Sequence, residues 1–243
     1  MWTVLALALI GLLFGSWLSV VTWRYPRGKN FIKGRSFCPK CGKKISWYDN
    51  LPLVSYLLLK GKCRFCRQKI SLRYPLIEIA SALGFVGIYF LRFLYPLAFV
   101  LWGFLLAIVV IDLERRLVLD MLVFIPLGLL IIFYLFFDYP LLYPSFFAGF
   151  LASLLLLLLH LATRGRGMGL GDVKLALLAG MIVGWPKVLA WLVISFWLGA
   201  AYALPLLLLK RAKLKTKVSF GPFLVLSLII TCLWGEKLIR LLL

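Results

Sequence analysis

Hydrophobic runs long enough to cross a bilayer recur along the whole of this chain, and they leave little choice of fold. In hydrocarbon, every backbone N–H and C=O must be satisfied internally, which a helix does within its own segment. The runs cover residues 2–22, 75–90, 97–111, 120–137, a stretch ending near 162, 172–183, 187–209 and 219–234. The chain is 64% hydrophobic with a mean hydropathy of +1.03, which excludes a soluble globule. The expected class is therefore all-α, a polytopic membrane protein of about eight transmembrane helices, with one small polar loop domain.

The net charge of +20 invites a nucleic-acid reading, but the basic residues lie between the apolar runs, as the positive-inside rule requires. No nucleic-acid partner is expected. If the runs alternate across the membrane, twenty-four of the 28 Lys and Arg fall on the side of residues 24–73, and only Arg92, Lys187, Lys237 and Arg240 on the other. That side is then cytoplasmic, and both termini lie outside. The first run has no basic residue before it and has Arg24 and Arg27 after it, the reverse of a secretory signal; it reads as a retained helix. The organisation expected is a transmembrane helix over 1–23, a cytoplasmic tetra-cysteine domain over 24–73 and a seven-helix membrane domain over 74–243.

The polar segment holds Cys38-Pro-Lys-Cys41 and Cys63-Arg-Phe-Cys66, a C-x₂-C-x₂₁-C-x₂-C pattern. Two close thiolate pairs suit one tetrahedral zinc in a ribbon-like fold. A redox role and free thiols are the alternatives; two disulfides fit a reducing cytoplasm poorly. Four protein ligands leave the metal no open position, so zinc here would be structural. Cys232 stands alone and reads as packing.

Eight acidic residues exist in the chain. Asp112 ends one hydrophobic run, and Asp120 and Asp172 begin two others. An ionisable group at the membrane is costly and marks a candidate site. Asp112 and Asp172 lie at matching depth on different helices, where they could meet. Two carboxylates sharing a proton can run aspartic-protease chemistry, one as base toward water and the other as acid toward the scissile carbonyl. The bland reading is that each is a water-facing helix flank, and for Asp120 the helix dipole alone accounts for an acid at that place. Glu78 is expected in the first turn of its helix, paired with Arg73, and His160 as a packed or interfacial residue. Gly165, Gly167, Gly169 and Gly171 do not follow the dinucleotide-binding pattern. Gly11 and Gly15 have the GxxxG spacing of close helix packing.

Taken in order, Gly15-Ser-Trp-Leu-Ser-Val-Val21, the two cysteine pairs, Trp47-Tyr-Asp-Asn-Leu-Pro-Leu-Val-Ser-Tyr56, Arg73-Tyr-Pro-Leu-Ile-Glu78, Ile111-Asp112, Gly169-Leu-Gly-Asp-Val-Lys174 and Phe220-Gly-Pro222 resemble the type IV prepilin peptidases, also called prepilin leader peptidases/N-methyltransferases. The resemblance covers nearly the whole chain. It implies an intramembrane aspartic peptidase that removes the basic leader of prepilins or pseudopilins on the cytoplasmic side, with Asp112 and Asp172 as the catalytic pair. It also implies, for many members, methylation of the new N-terminus with S-adenosylmethionine. Gly61 and Lys62, beside Cys63, are the candidate contacts for that cofactor, because glycine permits close backbone approach. Two positions depart from the family pattern: Leu119 precedes Asp120 where proline is usual, and Ser19 stands where asparagine is usual. Membrane lipids are the other expected partner, and the oligomeric state is left open. Two rival readings are a proton-coupled transporter, which would want acids near the bilayer midplane, and a non-catalytic zinc-ribbon scaffold, which would need no matched aspartates.

Overall fold

Backbone self-sufficiency is met here by helices alone: no strand forms among the described residues, and two isolated bridges are the only sheet-like pairings. The computed structural model describes residues 2–32, 34–91, 96–165, 167–209 and 219–242. The basic loop expected at 210–217 and most of the turn at 92–96 lie outside them. The helices are α1 (Trp2–Arg24), α2 (Val54–Leu58), α3 (Arg73–Leu91), α4 (Leu97–Arg115), α5 (Asp120–Phe137), α6 (Tyr139–Ala162), α7 (Leu170–Val183), α8 (Lys187–Leu208) and α9 (Gly221–Leu242). All eight long helices thus stand where hydrophobic runs predict them. Among the described residues, five regions, Trp2–Arg27, α4, α5, α6 and α8, are long and apolar enough to cross a membrane, so this is a multi-pass membrane protein. The last helix continues past Trp234 to Leu242.

The residues fall into two compact units, Met1–Val110 and Ile111–Leu243, and the division runs through α4. In the first unit α1 lies against α3. Lipid offers no hydrophobic drive between helices, so close backbone approach and packing supply the attraction. A methyl added at Gly11 would fall 2.7 Å from Ala82 Cα, and one at Gly15 would fall 2.7 Å from Glu78 Cα; the GxxxG spacing is the α1–α3 contact. Phe14, Phe85 and Phe99 extend it, with ring centroids 5.5 and 5.0 Å apart. Buried polar groups at one end are tied off: Arg73 donates to the Ser19 carbonyl at 3.1 Å and to Thr22 Oγ1 at 2.7 Å. Helix α3 begins at Arg73, so Glu78 stands in its second turn, buried, where its Oε2 accepts the Leu53 N–H at 2.9 Å.

The second unit is arranged around α7. This helix is apolar on every side, and such a helix belongs inside; Val173, Leu175, Ala176 and every residue from Leu178 to Val183 are buried. Helices α5, α6, α8 and α9 pack on it. Tyr134 on α5 donates its hydroxyl to the Met181 carbonyl at 3.2 Å. Helix α9 is fixed to α8 by the buried Trp191 Nε1–H, which donates to the Leu224 carbonyl at 2.9 Å, and by a Ser195–Ser227 hydroxyl pair. These contacts set the position of the start of α9.

Candidate active site

Asp112 occupies the last turn of α4, and its side chain is buried at 4% exposure. A buried carboxylate needs donors, and two reach its Oδ2: the Ser219 hydroxyl through a short hydrogen bond, and the Gly221 N–H at 3.1 Å. Asp172 lies in the first turn of α7, half-buried, and its Oδ2 accepts the Gly169 N–H at 3.2 Å. Leu175, three residues past Asp172, reaches the same point, since a Cβ at Gly221 would lie 2.7 Å from Asp112 Oδ2 and 3.6 Å from Leu175 Cδ2. The structure therefore brings together two carboxylates that lie 60 positions apart in sequence, one at the end of α4 and one at the start of α7.

The glycines on either side explain how the approach is made. A Cβ at Gly171 would fall 2.8 Å from Val118 Cβ, in the link between α4 and α5. Only glycine lets the first turn of α7 lie that close to the end of α4. A Cβ at Gly221 would fall 2.7 Å from Asp112 Oδ2, inside the space the carboxylate fills. The glycine-rich turn before α7 is held from behind by His160, whose Nδ1–H donates to the Met168 carbonyl at 2.7 Å. The histidine is half-buried, and it braces a loop as well as packing.

Asp120 takes a different part. It opens α5 in an exposed position and pairs with Lys174 Nζ at 2.6 Å. Lys174 is two residues past Asp172, so the ion pair fastens the start of α5 to the first turn of α7.

In the first unit the four cysteines converge. The sulfurs of Cys38, Cys41, Cys63 and Cys66 all lie within 4.8 Å of one another, with Cys38 and Cys66 3.9 Å apart, and none is in a disulfide. Two knuckles of the same pattern deliver them. The Cys38 N–H bonds the Lys43 carbonyl and the Gly42 N–H bonds the Cys38 carbonyl; twenty-five residues on, the Cys63 N–H bonds the Gln68 carbonyl and the Arg67 N–H bonds the Cys63 carbonyl. Gly42 and Arg67 both have positive φ, at 71° and 55°. The bridges Phe37–Lys44 and Lys62–Lys69 close the two turns. Zn–S bonds of about 2.3 Å in a tetrahedron put sulfurs roughly 3.8 Å apart, so the cluster fits a zinc-sized ion. The Cys66 N–H, foremost, brings the Cys63 thiol down to about 7. Cys66 goes up to about 11, since the favourable Gln68 N–H is outweighed by desolvation and the three neighbouring sulfurs. Asp49 braces this domain through two hydrogen bonds from Arg64, at 2.8 and 2.6 Å.

Gly61 has φ of +66°, and the hydroxyl of Tyr56 would lie 2.9 Å from a Cβ placed there. Lys62 is in the bridge that closes the second knuckle. Tyr56 thus covers one side of Gly61, and Lys62 is exposed.

The sequence reading missed three of these relationships: Ser219 and Gly221 on Asp112, Leu53 on Glu78, and Arg64 on Asp49. The first had a signal, since Ser219 directly precedes Phe220-Gly-Pro222 at a helix start, where serine and backbone N–H groups commonly serve acceptors. The other two are contacts between distant loop residues and carry no spacing pattern.

Residues 9–93 match the bacterial peptidase A24 N-terminal domain, and residues 99–204 match the type IV leader peptidase family. Over 98% of its length the chain is 35% identical to a prepilin leader peptidase/N-methyltransferase of Pseudomonas aeruginosa, covering 92% of that protein. It is 34% identical over 98% of its length to one of Pseudomonas putida, covering 96% of it. A third such protein, of Vibrio cholerae, is 37% identical over 73% of this chain and 76% of its own. No solved structure matches the chain significantly. The residues matched by the two family models include both cysteine knuckles and both aspartates, and the chain belongs to the type IV prepilin leader peptidase family.

Proposed function

We propose that the chain is an intramembrane aspartic endopeptidase that cuts the basic leader from type IV prepilins or pseudopilins at the cytoplasmic face of the inner membrane. The observation that carries this reading is the convergence of Asp112 and Asp172 in one unit at matching helix ends. The cytoplasmic placement rests on the distribution of Lys and Arg. The substrate enters with its apolar helix in the membrane and its leader in the cytoplasm. One carboxylate of the pair, ionised, takes a proton from water as the oxygen attacks the scissile carbonyl. The other, protonated, donates to the carbonyl oxygen, giving a neutral tetrahedral intermediate. Collapse breaks the C–N bond, and the leaving nitrogen takes up a proton from the pair.

The four cysteines would hold a structural zinc that staples the two knuckles, with no position open for substrate. The positive charge of residues 24–73 suits anionic lipid head groups, worth about 1 kcal/mol per basic residue near the surface. Methylation of the new N-terminus with S-adenosylmethionine enters this reading through the names of the relatives alone. The test is an intact-mass assay of a model prepilin with the purified chain in detergent or liposomes. Loss of the leader mass is expected with the natural chain and not with Asp172→Asn. Near-normal cleavage by Asp172→Asn would overturn the proposal.

A further inference from the structure

The segment 219–222 has no part in the mechanism above, yet it makes the closest contacts to Asp112. Ser219 and Gly221 both donate to Oδ2 and leave Oδ1 out of the pairing. Gly221 begins α9, a helix of 22 residues, so the carboxylate also meets the N-terminal end of a helix, where negative charge is favoured. Asp172 accepts one backbone N–H, from Gly169. Hydrogen bonds to a charged form favour it, and the two carboxylates are served unequally.

We propose that Ser219 and Gly221 form a grip that fixes the orientation of Asp112 and keeps the negative charge of the pair on it, leaving the shared proton with Asp172. The inference rests on the reading of Asp112 and Asp172 as the catalytic pair. It assigns the roles within that pair: Asp112 is the base toward water, and Asp172 is the acid toward the carbonyl oxygen. Ser219 and Gly221 are positioning residues, acting through Asp112. Among the described residues, the charged groups near Asp112 are Asp172 on α7 and, next to it in sequence, Glu114, Arg115 and Arg116; residues 219–224 bring no charged side chain. Gly221 fits the role for steric reasons as well, because a Cβ there would enter the space of Oδ2.

The experiment measures kcat, KM and the pH–rate profile of prepilin cleavage for Ser219→Ala, Ser219→Thr and Gly221→Ala beside Asp112→Asn. Ser219→Ala should lower kcat about 10- to 100-fold, as loss of a hydrogen bond to a charged group does, with KM within about two-fold. The pair loses a donor that favours its charged form, so the acid limb of the pair's profile should move up. Ser219→Thr keeps the hydroxyl and should recover most of kcat. An unchanged kcat and acid limb in Ser219→Ala, with Asp112→Asn inactive, would overturn the grip while leaving the pair standing. A lowered kcat with an unmoved limb and no recovery by threonine would mean packing only, and would also overturn it. Should Ser219→Ala fail to fold, Gly221→Ala decides: it should be folded and at least about 10-fold slower, and full activity would end the proposal. Cleavage by Asp112→Asn is the separate result that would remove the pair itself.

Discussion

Lys174 Nζ lies 2.6 Å from Asp120 Oδ1, joining the first turn of α7 to the start of α5 just past Asp172. Both side chains are solvent-accessible, at 38% and 61%. An exposed pair of this kind contributes about 0–1 kcal/mol. Asp120 is thus a fastener at the rim of the site. Asp120→Asn should slow cleavage by less than about five-fold and should be weakened further by nothing that Lys174→Met does not already remove. Rates for the two single variants and the double variant check this; a loss as large as that of Asp172→Asn would place Asp120 inside the chemistry.

Glu78 and Leu53 make the equivalent tie in the first unit. Leu53 has φ of 57°, a strained value for a branched side chain, and its N–H is held by the buried Glu78 carboxylate. Glu78→Ala removes the acceptor, at a local cost of about 1–3 kcal/mol, and should free residues 47–62 to proteolysis. Glu78→Gln keeps a carbonyl acceptor and should protect that stretch nearly as well as glutamate. Equal protease cleavage of the alanine variant and the natural chain would show that the tie carries no stability.

The four-cysteine cluster predicts about one zinc per chain, measured by elemental analysis after purification without chelator. Metal binding and local folding are one equilibrium in such sites. Cys38→Ser and Cys63→Ser should each lower zinc content below about half an equivalent and raise protease sensitivity between residues 34 and 72. Chelation of the natural chain should do the same. Protection unchanged after metal loss would make the Asp49–Arg64 pair and the knuckle hydrogen bonds sufficient by themselves.

The eight long helices were legible because each is a continuous apolar run, and the cysteine site because its ligands sit in two short motifs. The places of Asp112 and Asp172 at helix ends were equally plain. The grip on Asp112 was not, because it depends on where α8 holds α9, through Trp191 and Leu224, both far from Asp112 in sequence. The true start of α3 was missed for a local reason. The apolar run points to a start near Pro75, whereas the helix begins at Arg73, whose guanidinium is engaged by Ser19 and Thr22 of α1. That displacement moves Glu78 from a first-turn flank to a buried acceptor for Leu53.

The pairing of Asp112 with Asp172 makes a prediction that neither aspartate makes alone. If one carboxylate must be ionised and its partner protonated, then neutralising either destroys the same function. Asp112→Asn and Asp172→Asn should each lower cleavage by at least about 10³-fold, and the double variant should be no worse, because residues acting as a unit are not additive. The rate should fall on both the acid and the alkaline side of its optimum, and both limbs belong to the pair as a whole. The two single variants should remain folded, since asparagine at 112 still offers an amide oxygen to Ser219 and Gly221, and asparagine at 172 still offers one to Gly169. The check is the intact-mass assay on all three variants, with thermal unfolding run beside it. Losses that multiply in the double variant would mean that the two aspartates act in separate steps, and the shared-proton mechanism would have to be abandoned.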